Sequence, residues 1–100
     1  MTLHNKEELA SFKRKHPDAV GQINAWEAEV EAADWQSSHR VKERYSHASI
    51  INRREIVFNI SGNKYRIWVL ISYLNRIVKV IKAGTHREYD KWDIGKYSHE

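Results

Sequence analysis

Lys64 and Arg66 stand two residues apart just past a Gly62-Asn63 pair, and His86, Tyr89 and Asp90 follow later at the spacing of one helical turn. These residue types have definite chemistry. A guanidinium fork matches two phosphate oxygens, and an ammonium adds a point charge beside it. Histidine is the side chain suited to moving protons near neutral pH. An anion seat and an acid–base group in one short chain raise the question of whether any fold brings them together.

The hairpin comes first. Gly62-Asn63 between two β-rich runs predicts a two-residue loop, with Gly62 supplying the positive φ of a type II′ turn. That loop sets Ser61 opposite Lys64, Ile60 opposite Tyr65, Asn59 opposite Arg66 and Phe58 opposite Ile67. Strand side chains alternate between faces. Ile56, Phe58, Ile60, Tyr65, Ile67 and Val69 therefore share a core face, while Asn59, Ser61, Lys64 and Arg66 share the other, with Trp68 one step beyond. Two cations and an amide on rigid strands suit a phosphodiester, and the indole either stacks a base or lies beneath a covering segment. The ordinary alternative is a solvated outer sheet face. Further on, Thr85 with Glu88 forms a capping box, which predicts one or two helical turns. On that helix His86, Tyr89 and Asp90 share a side, with Asp90 placed to orient the imidazole.

The remaining elements follow from spacing. Leu3, Leu9 and Phe12 suit one side of a first helix near residues 5–15. Pro17 fits the opening of a second helix running to about Asp34, with Asp18 complementing its positive end. Val20, Ile23, Trp26, Val30 and Ala33 form its apolar stripe, and Trp26 and Trp35 read as helix packing. Glu27 and Glu31 lie on its opposite side, as a solvated face or a partner surface. Ser37 and Ser38 offer caps for a third helix over 38–45. Strands are predicted at 48–52, 55–61, 64–72 and 76–83, joined by short turns and hence antiparallel. The expected architecture is α+β: two to three N-terminal helices packed on a four-stranded twisted antiparallel sheet, with a short C-terminal helical turn.

Composition narrows the function. One hundred residues suit a single domain, 1–100. Without cysteine there is no disulfide, thiolate nucleophile or sulfur-held zinc. His4, His16, His39, His47 and His99 show no metal-ligand spacing, so neither metal nor cofactor is assigned. The N-terminus is polar and no apolar run approaches a bilayer span, which points to a cytoplasmic protein with no membrane partner. Residues 1–39 carry 4 Lys/Arg against 7 Asp/Glu, whereas residues 40–100 carry 13 against 6. The basic half is the β-rich half, as expected of a sheet presented to a polyanion.

The chain resembles the HigB family of type II toxin–antitoxin systems, within the RelE-like superfamily. The resemblance is carried by Lys15-His16-Pro17-Asp18-Ala19, Ala25-Trp26 through Ala33-Asp34-Trp35, Val41-Lys42 with Tyr45, and Ala48-Ser49-Ile50. It continues through Val57-Phe58-Asn59-Ile60, Gly62-Asn63-Lys64-Tyr65-Arg66, and Gly84-Thr85-His86 to Glu88-Tyr89-Asp90. Past Asp93 the tail matches nothing in that pattern. The resemblance implies a metal-free endoribonuclease that cuts mRNA in the ribosomal A site. It also implies a cognate helix-turn-helix antitoxin, through which alone the toxin meets operator DNA.

In such a reaction the substrate's 2′-hydroxyl attacks the phosphorus. Arg66 and Lys64 then suit stabilisation of the pentacovalent phosphate, and His86 suits general acid or base, with Tyr89 the second candidate. Asn59 and Asn63 suit sugar or backbone contacts, and Lys42 with Tyr45 would extend the groove. A non-catalytic basic RNA- or DNA-binding module accounts for the same charge and aromatics, and a degenerate toxin kept only as a binding partner is a third class.

Overall fold

A computed structural model describes residues 1–98; His99, named among the histidines above, lies outside the described residues. Strand β1 (Thr2–His4) leads into helix α1 (Lys6–Lys15), a 3₁₀ turn (Pro17–Ala19) and helix α2 (Val20–Ala32). Helix α3 (Ser38–Arg44) precedes strands β2 (Ser49–Ile50), β3 (Glu55–Ile60), β4 (Tyr65–Ser72) and β5 (Ile77–Thr85), and helix α4 (His86–Tyr89) follows. The sheet has five strands in the order β1-β5-β4-β3-β2, with β1 parallel to β5 and the other pairs antiparallel.

The α+β class is as expected, but the sheet is mixed and has a fifth strand. Leu3, assigned above to the first helix, sits in β1 opposite Val78. Asn5 separates β1 from α1 with a φ of 65°, and its amide donates to the Val80 carbonyl at 2.7 Å. A strand of three residues is too short for alternation to reveal it. Helix α2 also ends early, because Ala33 is already extended.

The hairpin register holds: Ile60 pairs with Tyr65, Asn59 with Arg66 and Phe58 with Ile67. The ladder stops one pair sooner than a two-residue loop requires. Ser61 and Gly62 both take positive φ, 56° and 66°. Ser61 is steadied there by Gln22 of α2, whose carbonyl oxygen accepts from its backbone N–H at 2.7 Å and its hydroxyl at 3.0 Å.

The predicted core face is the observed one. Ile56, Phe58, Ile60, Tyr65, Ile67 and Val69 are buried with Ile23, Trp26, Val30, Leu9 and Phe12 from the helices. Trp26 meets Phe58 edge-on, with Trp35 stacked on the same ring, and Phe12 meets Tyr65 edge-on. The acidic side of α2 is answered from its neighbours: Glu27 by Lys13, Glu31 by Lys6 and Glu29 by Arg44.

The sheet's second face is covered by the C-terminal segment. The Trp92 ring stacks on Trp68 at 5.9 Å and Tyr97 tilts against it at the same distance. Glu55, fully buried, anchors this cover: its carboxylate accepts from Trp68 Nε1, the Gly95 and Tyr97 backbone N–H groups and the Asn52 amide, at 2.8–3.2 Å. Gly84 makes room for it. A β-carbon there would stand 2.8 Å from Trp92 Cζ2 and 3.2 Å from Glu88 Cβ. Gly84→Val is therefore expected to cost about 1–3 kcal/mol of stability. Urea unfolding followed by tryptophan emission measures it; an unchanged midpoint would show that the indole moves aside at no cost.

Candidate functional site

The β4–β5 ladder ends with Tyr65 opposite Thr85 and Arg66 opposite Gly84. One step further, the His86 backbone N–H donates to the Lys64 carbonyl at 3.2 Å. Helix α4 thus starts beside the hairpin that carries the cations. Thr85 and Glu88 make both halves of the expected capping box, at 3.2 and 2.9 Å. The Thr85 backbone bond, against the opposing effect of partial burial, holds the Glu88 carboxyl below the usual carboxylate range, aided by His16 and Lys15 nearby.

Arg66 is the unusual member. It is 8% exposed, and its guanidinium donates to the Asn63 and Tyr65 carbonyls at 2.9 and 3.3 Å. The Tyr89 ring centroid lies 5.4 Å away, a cation–π distance. Among the described residues no carboxylate stands within ion-pair reach of it. Lys64 differs: its exposed ammonium is 2.8 Å from Asp18. His86 and Tyr89 have ring centroids 6.2 Å apart, so Arg66, Tyr89 and His86 form a continuous series at one edge. Asp90 faces the imidazole as expected, but its oxygen is 3.6 Å from Nδ1, an ion-pair distance too long for the orienting hydrogen bond foreseen above.

A groove of about 350 Å³ runs along the other side of the turn, lined by Arg44, Tyr45, His47, Asn59, Gly62 and Asn63 among others. The Asn59 amide donates to the Asn63 side chain at 3.4 Å. Asn63 therefore connects the two regions, with its side chain in the groove and its carbonyl on Arg66.

Three residues read as substrate contacts are otherwise engaged. Trp68 is 1% exposed, sealed between the sheet and the C-terminal cover, and presents no open face to a base. Lys42 donates to the Ala48 carbonyl and braces the loop that walls the groove. Tyr45 lines that wall, but its hydroxyl donates to Glu29 at 2.6 Å while its ring packs on Phe58. Burial, reinforced by the Glu29 carboxylate, pushes its hydroxyl pKa well above the ordinary phenol value.

Two residues at this edge escaped functional reading. His16 lies with its ring centroid 4.4 Å from Phe12 and 5.1 Å from Tyr65. Asp18 reaches both Lys64 and the Tyr65 hydroxyl. Local spacing carries no signal for contacts between residues 46 positions apart.

The family model for HigB_toxin, described as the RelE-like toxic component of a toxin–antitoxin system, matches residues 19–92. The chain belongs to the HigB toxin family. A toxin of this kind implies an antitoxin partner. No curated protein matches the chain. The matched segment of this HigB-family chain contains Lys64, Arg66, His86, Tyr89 and Asp90, whereas His16, Asp18 and the cover from Asp93 onward fall outside it. No helix among the described residues is long and apolar enough to cross a membrane.

Proposed function

We propose that this toxin is a metal-free endoribonuclease that cuts mRNA, in the cytoplasm and on the ribosome, and that the chain folds as a single toxin domain. The observation that carries the reading is Arg66, a nearly buried guanidinium with no carboxylate partner among the described residues. A buried charge is costly until an opposite charge completes it. A phosphodiester fits the planar fork of the guanidinium, Tyr89 and His86 lie in series beside it, and the Lys64 backbone carbonyl meets the His86 N–H.

These side chains suit cleavage by the substrate's own 2′-hydroxyl. The 2′-hydroxyl oxygen bonds to phosphorus as its proton passes to a base, and the bond to the 5′ oxygen breaks as that oxygen takes a proton from an acid. The products are a 2′,3′-cyclic phosphate and a 5′-hydroxyl end. Arg66, with Lys64, supports the extra negative charge of the pentacovalent phosphate, an electrostatic term that is usually the largest. His86 moves one of the protons, with Tyr89 beside it for the other. Asn59 and Asn63 hold sugar or backbone along the groove, and Tyr45 forms part of its wall. A cognate helix-turn-helix antitoxin accounts for neutralisation and for the toxin's link to operator DNA.

His86→Ala is expected to lower cleavage about 10²-fold, the lower end of general acid–base effects, because Tyr89 remains alongside. RNA affinity stays near that of the parent. The test is induced expression with mapping of message ends, beside purified protein added to mRNA on ribosomes. Equal cleavage by parent and variant removes His86 from the chemistry, and RNA binding by the parent without any cleavage favours a non-catalytic binding module.

A further inference from the structure

Asp18 lies in the 3₁₀ turn between α1 and α2, yet its carboxylate ends against the hairpin. One oxygen is 2.8 Å from Lys64 Nζ and 2.7 Å from the Tyr65 hydroxyl, and the other accepts from that hydroxyl at 3.0 Å. The Tyr65 ring is itself buried, with Phe12 and His16 packed around it. The hydroxyl is therefore a fixed post, and the carboxylate hung on it is fixed in turn.

We propose that Asp18 is a positioning residue for the nuclease reading above: it fixes the Lys64 ammonium at the end of the hairpin that carries Arg66, as a second cation for the substrate's phosphates. Lysine has a long, rotamer-rich stem and three N–H donors. Asp18 takes one donor, Tyr65 is the second partner with its ring centroid 5.2 Å from the ammonium, and the remaining proton is left for a substrate oxygen. Hydrogen bonding to Asp18 holds the Lys64 pKa above its ordinary value, and the same bond, with that from Tyr65, holds the Asp18 carboxyl below its own. The pair thus stays charged on both sides of neutral pH. Its cost is long-range attraction, since the carboxylate offsets the lysine charge as seen by an approaching RNA.

These opposed effects give a signature that a merely structural contact lacks. In Asp18→Asn the net charge at the edge rises by one, so RNA binding holds or tightens and its salt dependence steepens. The ammonium meanwhile wanders, and kcat falls about three- to tenfold, the scale of re-immobilising one flexible side chain. Asp18→Glu, which keeps the carboxylate, recovers most of the rate. In a Lys64→Met background Asp18→Asn costs nothing further, because the residue acts only through the lysine.

The experiment measures kcat and KM for cleavage of ribosome-bound mRNA by the parent and these variants. In parallel, nitrogen-15 NMR of the lysine ammonium groups reads whether Lys64 Nζ is ordered with Asp18 present and mobile without it. Lower kcat with unchanged or lower KM, together with a mobilised ammonium, supports the proposal. An Asp18→Asn variant that cleaves as fast as the parent or faster, or a Lys64 ammonium equally ordered in both, overturns it. A parent that cleaves no RNA fails the nuclease reading instead, and the ammonium signal still decides whether Asp18 positions Lys64.

Discussion

Arg66→Ala is expected to lower RNA cleavage by about 10²–10³-fold, the scale of removing one preorganised donor from a developing oxyanion. The side chain is nearly buried, and its guanidinium is held by the Asn63 and Tyr65 carbonyls and lies near the Tyr89 ring. It is thus oriented before substrate arrives, which is the condition under which an electrostatic contact acts at full strength. Removing it leaves two carbonyls short of a donor, at a cost of about 1–3 kcal/mol in stability, so folding must be checked alongside. Arg66→Lys separates charge from geometry. It keeps the cation but loses the fork, and should recover only a small part of the lost rate. Single-turnover cleavage, corrected for the folded fraction, measures both variants. An alanine variant that cleaves within threefold of the parent would mean that the guanidinium never meets the reacting phosphate.

The second large effect is on stability. Glu55→Ala is expected to reduce the unfolding free energy by about 3–5 kcal/mol. The carboxylate is fully buried and satisfies the Trp68 indole N–H, two backbone N–H groups of the C-terminal segment and the Asn52 amide. Each donor stranded in the interior costs about 1–3 kcal/mol, partly relieved as the segment lifts and admits water. Lifting it exposes Trp68, so red-shifted emission and loss of amide protection over residues 91–98 should accompany the change. A variant that unfolds at the parent's urea midpoint would show that the aromatic stack alone retains the cover.

The same clamp has a pH dependence. Burial pushes the Glu55 carboxyl up, but hydrogen bonds from Asn52, Gly95, Trp68 and Tyr97 together outweigh it, and the net pKa lies below the usual value. Between the folded and unfolded pKa values the unfolded chain binds more protons, so stability rises with pH across that window. The contribution of Glu55 is therefore complete above the ordinary carboxylate range and is lost as pH falls through its lowered folded value. An acid unfolding series on the parent and on Glu55→Gln should show this component only in the parent.

The division between what was legible in the chain and what was not falls along contact range. Alternation over Ile56–Ile60 and Tyr65–Val69 determined the core face, and the Gly62 turn determined which residues oppose one another. The Thr85–Glu88 capping box announced the start of α4. All three are local rules, acting within a turn of helix or across one hairpin. They also placed Arg66 on β4, whereas Lys64, read into the same strand, lies in the turn just before it.

Only the tertiary structure decided the rest. The three-residue β1 gains its place by pairing with β5, more than seventy positions away. The fate of Trp68 depended on a C-terminal segment whose anchors, Glu55 and Gly84, look unremarkable in the chain. Lys64 and Arg66 look equivalent two residues apart, yet one is exposed and paired with Asp18 while the other is buried without a carboxylate partner among the described residues. That distinction arises because a partner's position depends on how distant elements pack, and packing is a property of the whole fold rather than of any stretch of it.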